Sequence, residues 1–154
     1  MNNRMSLVFT EGEKKIEFNV INYEYPERVA TEDYDYDANW LMVEIAYSNR
    51  AEKNTYYDPC LLTYEFIDLI DGIDEILAGR ETGYITDFME PYLKFSVTKV
   101  GDLFAVQIRF VYDTTDGQWK EIYVSQGVSC QELNAFSQAG RQLCEQFPER
   151  KRCQ

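Results

Sequence analysis

The sequence predicts an α+β domain, a mainly antiparallel β-sheet with two α-helices packed on one face. Several short runs alternate apolar and polar residues, the two-residue period of strands with one face buried. Two longer stretches, about 64–78 and 130–147, carry apolar residues at three- and four-residue spacing instead. The order is strands, helix, strands, helix, which suits an antiparallel sheet covered by helices. At 154 residues the chain reads as a single domain, 1–154, with an acidic, Tyr-rich loop at 26–37 and a short basic tail at 148–154.

Each element has a local reason. Met5–Thr10 and Lys14–Tyr25 read as a strand pair joined by Glu11-Gly12-Glu13, with the glycine a tight turn wants. On the second strand Ile16, Phe18, Val20 and Asn22 are expected to face one way, and Glu17, Asn19, Ile21 and Tyr23 the other. Tyr25–Tyr36 contains Pro26, many acids and no apolar period, a long connection of the kind that is usually functional or mobile. Trp40–Ser48 alternates again, Leu41, Val43 and Ile45 against Met42, Glu44 and Ala46. Thr55–Thr63 reads as the returning strand, which Pro59 assigns to an edge or a bulge.

The first helix is expected to start from Thr63 as N-cap and to bury Phe66, Leu69, Ile70, Ile73, Ile76 and Leu77. Gly79 ends it. Opposite the apolar stripe stand Glu65, Asp68, Asp71 and Glu75, a ridge of one sign that lacks oppositely charged neighbours on its own helix. Tyr84–Met89, Pro91–Val100, Leu103–Tyr112 and Trp119–Ser125 continue as strands, with turns at Gly101-Asp102 and 113–117. Ser129-Cys-Gln-Glu132 is a capping box for the second helix. Its buried face is Leu133, Phe136, Gly140, Leu143 and Phe147, and Pro148 stops it.

Composition narrows the function. Hydrophobic residues make up 45% and aromatics 15%, enough for a folded core. No run approaches 18 apolar residues, so no membrane partner is expected, and the N-terminus turns polar too early for a signal-peptide core. The expected location is the cytoplasm. Cys60, Cys130, Cys144 and Cys153 show no CxxC spacing, and on one helix Cys130 and Cys144 would stand about 21 Å apart. Reduced thiols without chemistry are therefore expected.

The net charge is −12, and it is concentrated. Residues 24–44 hold seven acids against Arg28, and residues 58–79 hold six acids and no base. Each segment is −6, and together they carry the whole excess. Nucleic acid is thereby disfavoured as a ligand, since its phosphates would be repelled. A basic protein partner is the expectation, weighed against a surface that merely keeps the molecule in solution.

There is no histidine, which removes Ser-His and Cys-His pairs and the commonest general base. The eight glycines form no phosphate-binding loop. Two carboxylates could serve a hydrolase, but no spacing singles out a pair. Asp33, Asp35, Asp37, Asn39 and Glu44 fall at positions 1, 3, 5, 7 and 12 of a calcium loop. Ala38 occupies the position that wants glycine, and a strand follows where a helix should. No enzyme activity, metal or cofactor is expected. Tyrosines interleaved with carboxylates suit recognition of arginine and lysine, through charge-assisted hydrogen bonds and ring contact. Tyr34, Asp35, Tyr36 and Asp37 of the loop and Asp68, Asp71 and Glu75 of the helix are the expected partner-binding residues. Trp40 is expected in the core.

Four stretches also carry a likeness. Asp37-Ala-Asn-Trp-Leu41, Asp58-Pro-Cys-Leu-Leu-Thr63, Glu90-Pro-Tyr-Leu-Lys-Phe-Ser96 and Gln146-Phe-Pro-Glu-Arg150 resemble, in this order, the WapI-type bacterial immunity proteins. The resemblance implies an antidote without activity of its own, which binds and blocks the C-terminal domain of a contact-delivered, wall-associated toxin. That domain is expected to be a nuclease, basic where it holds phosphate. Two other readings stand beside this one: a nucleic-acid mimic acting on several basic proteins, and a carboxylate-based hydrolase.

Overall fold

A computed structural model describes residues 6–113 and 117–152 of the chain. Met5, Cys153 and most of the turn expected at 113–117 lie outside the described residues. The chain forms β1 (Leu7–Glu11), β2 (Lys14–Tyr23), a one-turn α1 (Tyr36–Asn39), β3 (Trp40–Ser48), β4 (Lys53–Leu62) and α2 (Thr63–Leu77). Then come β5 (Gly83–Ile85), β6 (Leu93–Val100), β7 (Leu103–Asp113), β8 (Trp119–Val128) and α3 (Cys130–Gln146). The α+β class holds, and all strand pairing is antiparallel.

The strands make two four-stranded sheets, β1-β2-β3-β4 and β5-β6-β7-β8, each in chain order and each followed by a long helix. Edge strands β1 and β8 meet without a shared backbone ladder. Side chains join them: Thr10 N–H donates to Gln126 Oε1 (3.0 Å) and Ser125 N–H to Glu11 Oε1 (3.1 Å), and from the start of β2 Lys14 Nζ donates to the Tyr123 carbonyl (2.9 Å).

Leu41, Val43, Ile45 and Tyr47 are buried in strict alternation along β3. On β2 the alternation fails after Val20, where a register shift sends Asn22 outward to solvent. A second shift, between Leu41 and Val43, sits opposite Pro59 and Cys60. Edge position and irregularity together accommodate the proline in β4. The strand expected at 84–89 shortens to three residues, although Thr86 still bonds the Phe95 backbone in both directions.

One apolar cluster joins both sheets to both long helices. Phe18 packs on Phe66 of α2 and Phe95 of β6, and Phe9 packs on Phe136 of α3. Each fully buried Leu, Ile or Phe contributes on the order of 2 kcal/mol. The helices pack closely where a Cβ on Gly140 would overlap Ile70 Cδ1. Cys60 and Cys144 are buried and Cys130 is exposed, all three as free thiols. Among the described residues no helix is long and apolar enough to cross a membrane.

Candidate functional site

The acidic loop is organised around two side chains that point inward. Asp35, only 2% exposed, is the N-cap of α1 and accepts from Ala38 N–H (3.2 Å). Its carboxylate also accepts from the Thr31 N–H (3.1 Å), the Thr31 hydroxyl and the Arg28 guanidinium (3.1 Å). These bonds, led by that from Thr31 N–H and opposed by burial, hold its pKa down at about 2. The charge of Asp35, one of the residues expected to bind a partner, is thus engaged inside the loop.

The second inward group is Arg150, expected to belong to a basic tail. Its guanidinium donates to four backbone carbonyls, those of Ala38 (2.5 Å), Pro26 (3.1 Å), Arg28 (2.9 Å) and Tyr25 (2.9 Å). It also lies over the Tyr23 ring, 3.8 Å from the centroid. Asn39, fully buried, completes the lock. Its amide donates to the carbonyls of Asp35 and Arg150 and accepts from the Arg150 N–H and the Thr63 hydroxyl. Thr63 thus begins α2 bonded to Asn39, and the N-cap position expected for it belongs to Leu62. Glu65 serves that helix end instead, accepting from the N–H groups of Leu62 and Met89.

What the lock presents outward is Tyr34, Tyr36 and Asp37, all exposed. Tyr34 has a left-handed backbone, φ 61°, uncommon for a non-glycine residue. Both tyrosine rings meet Tyr64 of α2, at 6.1 and 6.2 Å between centroids. The Tyr64 hydroxyl is sealed from solvent and meets no partner at hydrogen-bonding geometry among the described residues. Burial first, then Tyr36, pushes its pKa up.

Tyr34 and Tyr64 open onto a cleft of about 670 Å³ that Asp33, Ile67 and Asp68 also line. Lys151 and Arg152 form part of its wall, with Lys151 3.8 Å from Glu149. Loop and helix thus converge through Tyr34 and Asp68, and Asp33, which sequence reasoning left aside, joins them. Partial burial and then Asp71 push the Asp68 carboxyl up.

Asp71 and Glu75 stand outside this cleft. Arg141 of α3 bridges Asp71 and Asp74 at 2.8 Å each, and Ser137 donates to Asp74. Arg80 pairs with Glu75 at 2.5 Å. The one-sign ridge is therefore largely compensated from neighbouring segments, a pairing that reading one helix alone could not reveal. The calcium arrangement does not converge, since Asp35 and Asn39 are engaged inward and Glu44 accepts from Asn19 on β2. Among the described residues no group of three or more His, Cys, Asp or Glu side chains is placed to hold a metal. Trp40 is half-buried at the start of β3.

Residues 6–148 match the family described as the immunity protein WapI-like family. No protein of curated function matches the sequence. Among solved structures, the plant transcriptional regulator PBF-2 is similar at 11% identity and a TM-score of 0.44, over 96% of this chain and 84% of that one. At that level the likeness carries no argument.

Proposed function

The chain belongs to the WapI-like immunity protein family, and from that premise we propose that it is an antidote, acting in the cytoplasm, that binds a sibling toxin's C-terminal domain and blocks it. It acts by binding, without catalysis. The observation that carries the surface is the convergence of Tyr34, Tyr64 and Asp68 on one cleft that Asp33 also lines, with exposed Tyr36 against Tyr64 and exposed Asp37 in the same loop. A nuclease domain is cationic where it grips phosphate, and this acidic, aromatic face offers it carboxylates and ring area in place of its substrate. Charge steers the encounter, and the tyrosines and desolvated carboxylates set the off-rate.

Because the loop is locked by Arg150 and Asp35, little ordering is left to be done on binding. The strained Tyr34 backbone fits this reading, since such conformations persist where a side chain must be aimed. Lys151 and Arg152 give the cleft a second sign, which fixes the partner's register.

The test uses the C-terminal domain of the sibling toxin. Asp37→Lys with Asp68→Lys should abolish rescue of cells expressing that domain and weaken the purified complex at least tenfold, while circular dichroism shows the fold intact. Rescue equal to that of the parent protein would sink the assignment of this surface. Failure of the parent itself to bind that domain would sink the antidote reading.

A further inference from the structure

A second place joins rings to carboxylates, on a different side of the core. Between β4 and β7 the inner faces of the two sheets open to solvent in a cleft of about 500 Å³. Tyr56 stacks on Tyr112, with centroids 4.3 Å apart, and Tyr92 lies parallel to Trp119 at 5.8 Å with 8° between planes. Trp119 is 60% exposed and Tyr57 62%. Large rings left this open, continuous with a core, usually mark a contact surface.

Asp58 shares the cleft and is half-buried. No lysine or arginine among the described residues lies within ion-pair distance of it, and none lines the cleft. Burial, then the charges of Glu90 and Glu24, push its carboxyl up, while the Cys60 thiol supports it. Asp58 is thus the one acid lining an aromatic cleft to which no lysine or arginine contributes among the described residues.

This combination selects its occupant. An apolar segment laid over the rings would seal in Asp58 as an unpaired charge, which costs several kcal/mol. A nucleic acid would bring phosphates against the Asp58 carboxylate, within the field of Glu90 and Glu24. A cationic side chain is stabilised by both components: the ring faces attract it, and the carboxylate hydrogen-bonds it. A planar guanidinium suits flat, stacked walls better than a compact ammonium does. We infer that this cleft receives an arginine side chain of the toxin domain, as a second contact separate from the Tyr34–Asp68 cleft. The inference rests on the antidote reading above.

The test separates the two. In the full chain, N-acetylarginine amide should shift the Trp119 indole N–H resonance, and the neutral citrulline counterpart should not. Asp58→Asn should remove that response, and Asp37→Lys with Asp68→Lys should leave it unchanged. With the toxin domain, Asp58→Asn and Trp119→Ala should each raise the Kd roughly tenfold, about one hot-spot contact. An equal response to arginine and citrulline, no response at Trp119, or variant complexes as tight as the parent's would overturn this inference and leave the antidote reading standing. A parent chain that does not bind the toxin domain overturns both. Concentration-dependent dimerisation abolished by Trp119→Ala would assign the cleft to a second copy and overturn the arginine.

Discussion

Two segments of this protein carry the same sequence charge, −6 over residues 24–44 and −6 over residues 58–79, and the fold treats them oppositely. In the loop the compensation is internal: Asp35 turns inward to Arg28, and Asp33 and Asp37 stay in solvent. On α2 it arrives from elsewhere: Arg141 meets Asp71 and Asp74, Arg80 meets Glu75, and backbone N–H groups meet Glu65. Formal charge counts acids, whereas a partner meets only those that the fold leaves unanswered. By that measure the loop offers Glu27, Glu32, Asp33 and Asp37, and the helix offers Asp68.

The largest effect should come from breaking the loop's lock. Arg150→Ala removes four charge-assisted hydrogen bonds and a ring contact, and should cost about 3 kcal/mol. Amide exchange should accelerate across residues 25–39 far more than in α2. Uniform acceleration would mean the two regions are not separately held.

Acid should distinguish the regions next. Asp35, depressed to about 2 from 3.8, stabilises the fold above pH 4, and that contribution is lost as pH falls through 2. Glu65 and Asp68 are raised, chiefly by burial, so their protonated forms favour the fold. Their contribution is complete below the unfolded values near 4 and is lost as pH rises through the folded ones. Carboxyl titration by NMR should therefore place Asp35 below, and Glu65 and Asp68 above, ordinary carboxylates. Asp35→Asn should flatten the acid limb of a stability profile.

Arg141→Gln should be milder, at most about 1 kcal/mol, because its ion pairs are largely exposed. It would bare Asp71 and Asp74, so it sharpens the comparison: the toxin domain should associate faster with this variant at low salt, and equally fast at high salt. Asp37→Asn and Asp68→Asn should change stability least, within about 0.5 kcal/mol in thermal melts. A larger loss at either would mean the residue has an internal partner after all.

The sequence showed the strands and long helices well because their periods are physical: burial on one face forces the repeat, as in Leu41, Val43 and Ile45 or Phe66, Leu69, Ile70 and Ile73. It did not show that the strands divide into two sheets, since β1 and β8 meet through Gln126 and Glu11, side chains with no pattern to read. Within the site, Tyr34 and Asp68 were legible as aromatic and acidic. Asp33, Asp35 and Asp37 look alike in an Asp-Tyr repeat, and the inward bonds to Ala38, Thr31 and Arg28 tell the middle one apart. Position 35 before a one-turn helix was a signal that could have been found. The role of Arg150 was not, because its partners are carbonyls, which every residue has.

Those carbonyls lie 112 to 125 positions upstream of the guanidinium that gathers them. On the ribosome, at roughly 5–20 residues per second, several seconds or more must pass between making the loop and making the residue that shapes it. The loop therefore takes its final shape only well after its own residues are made.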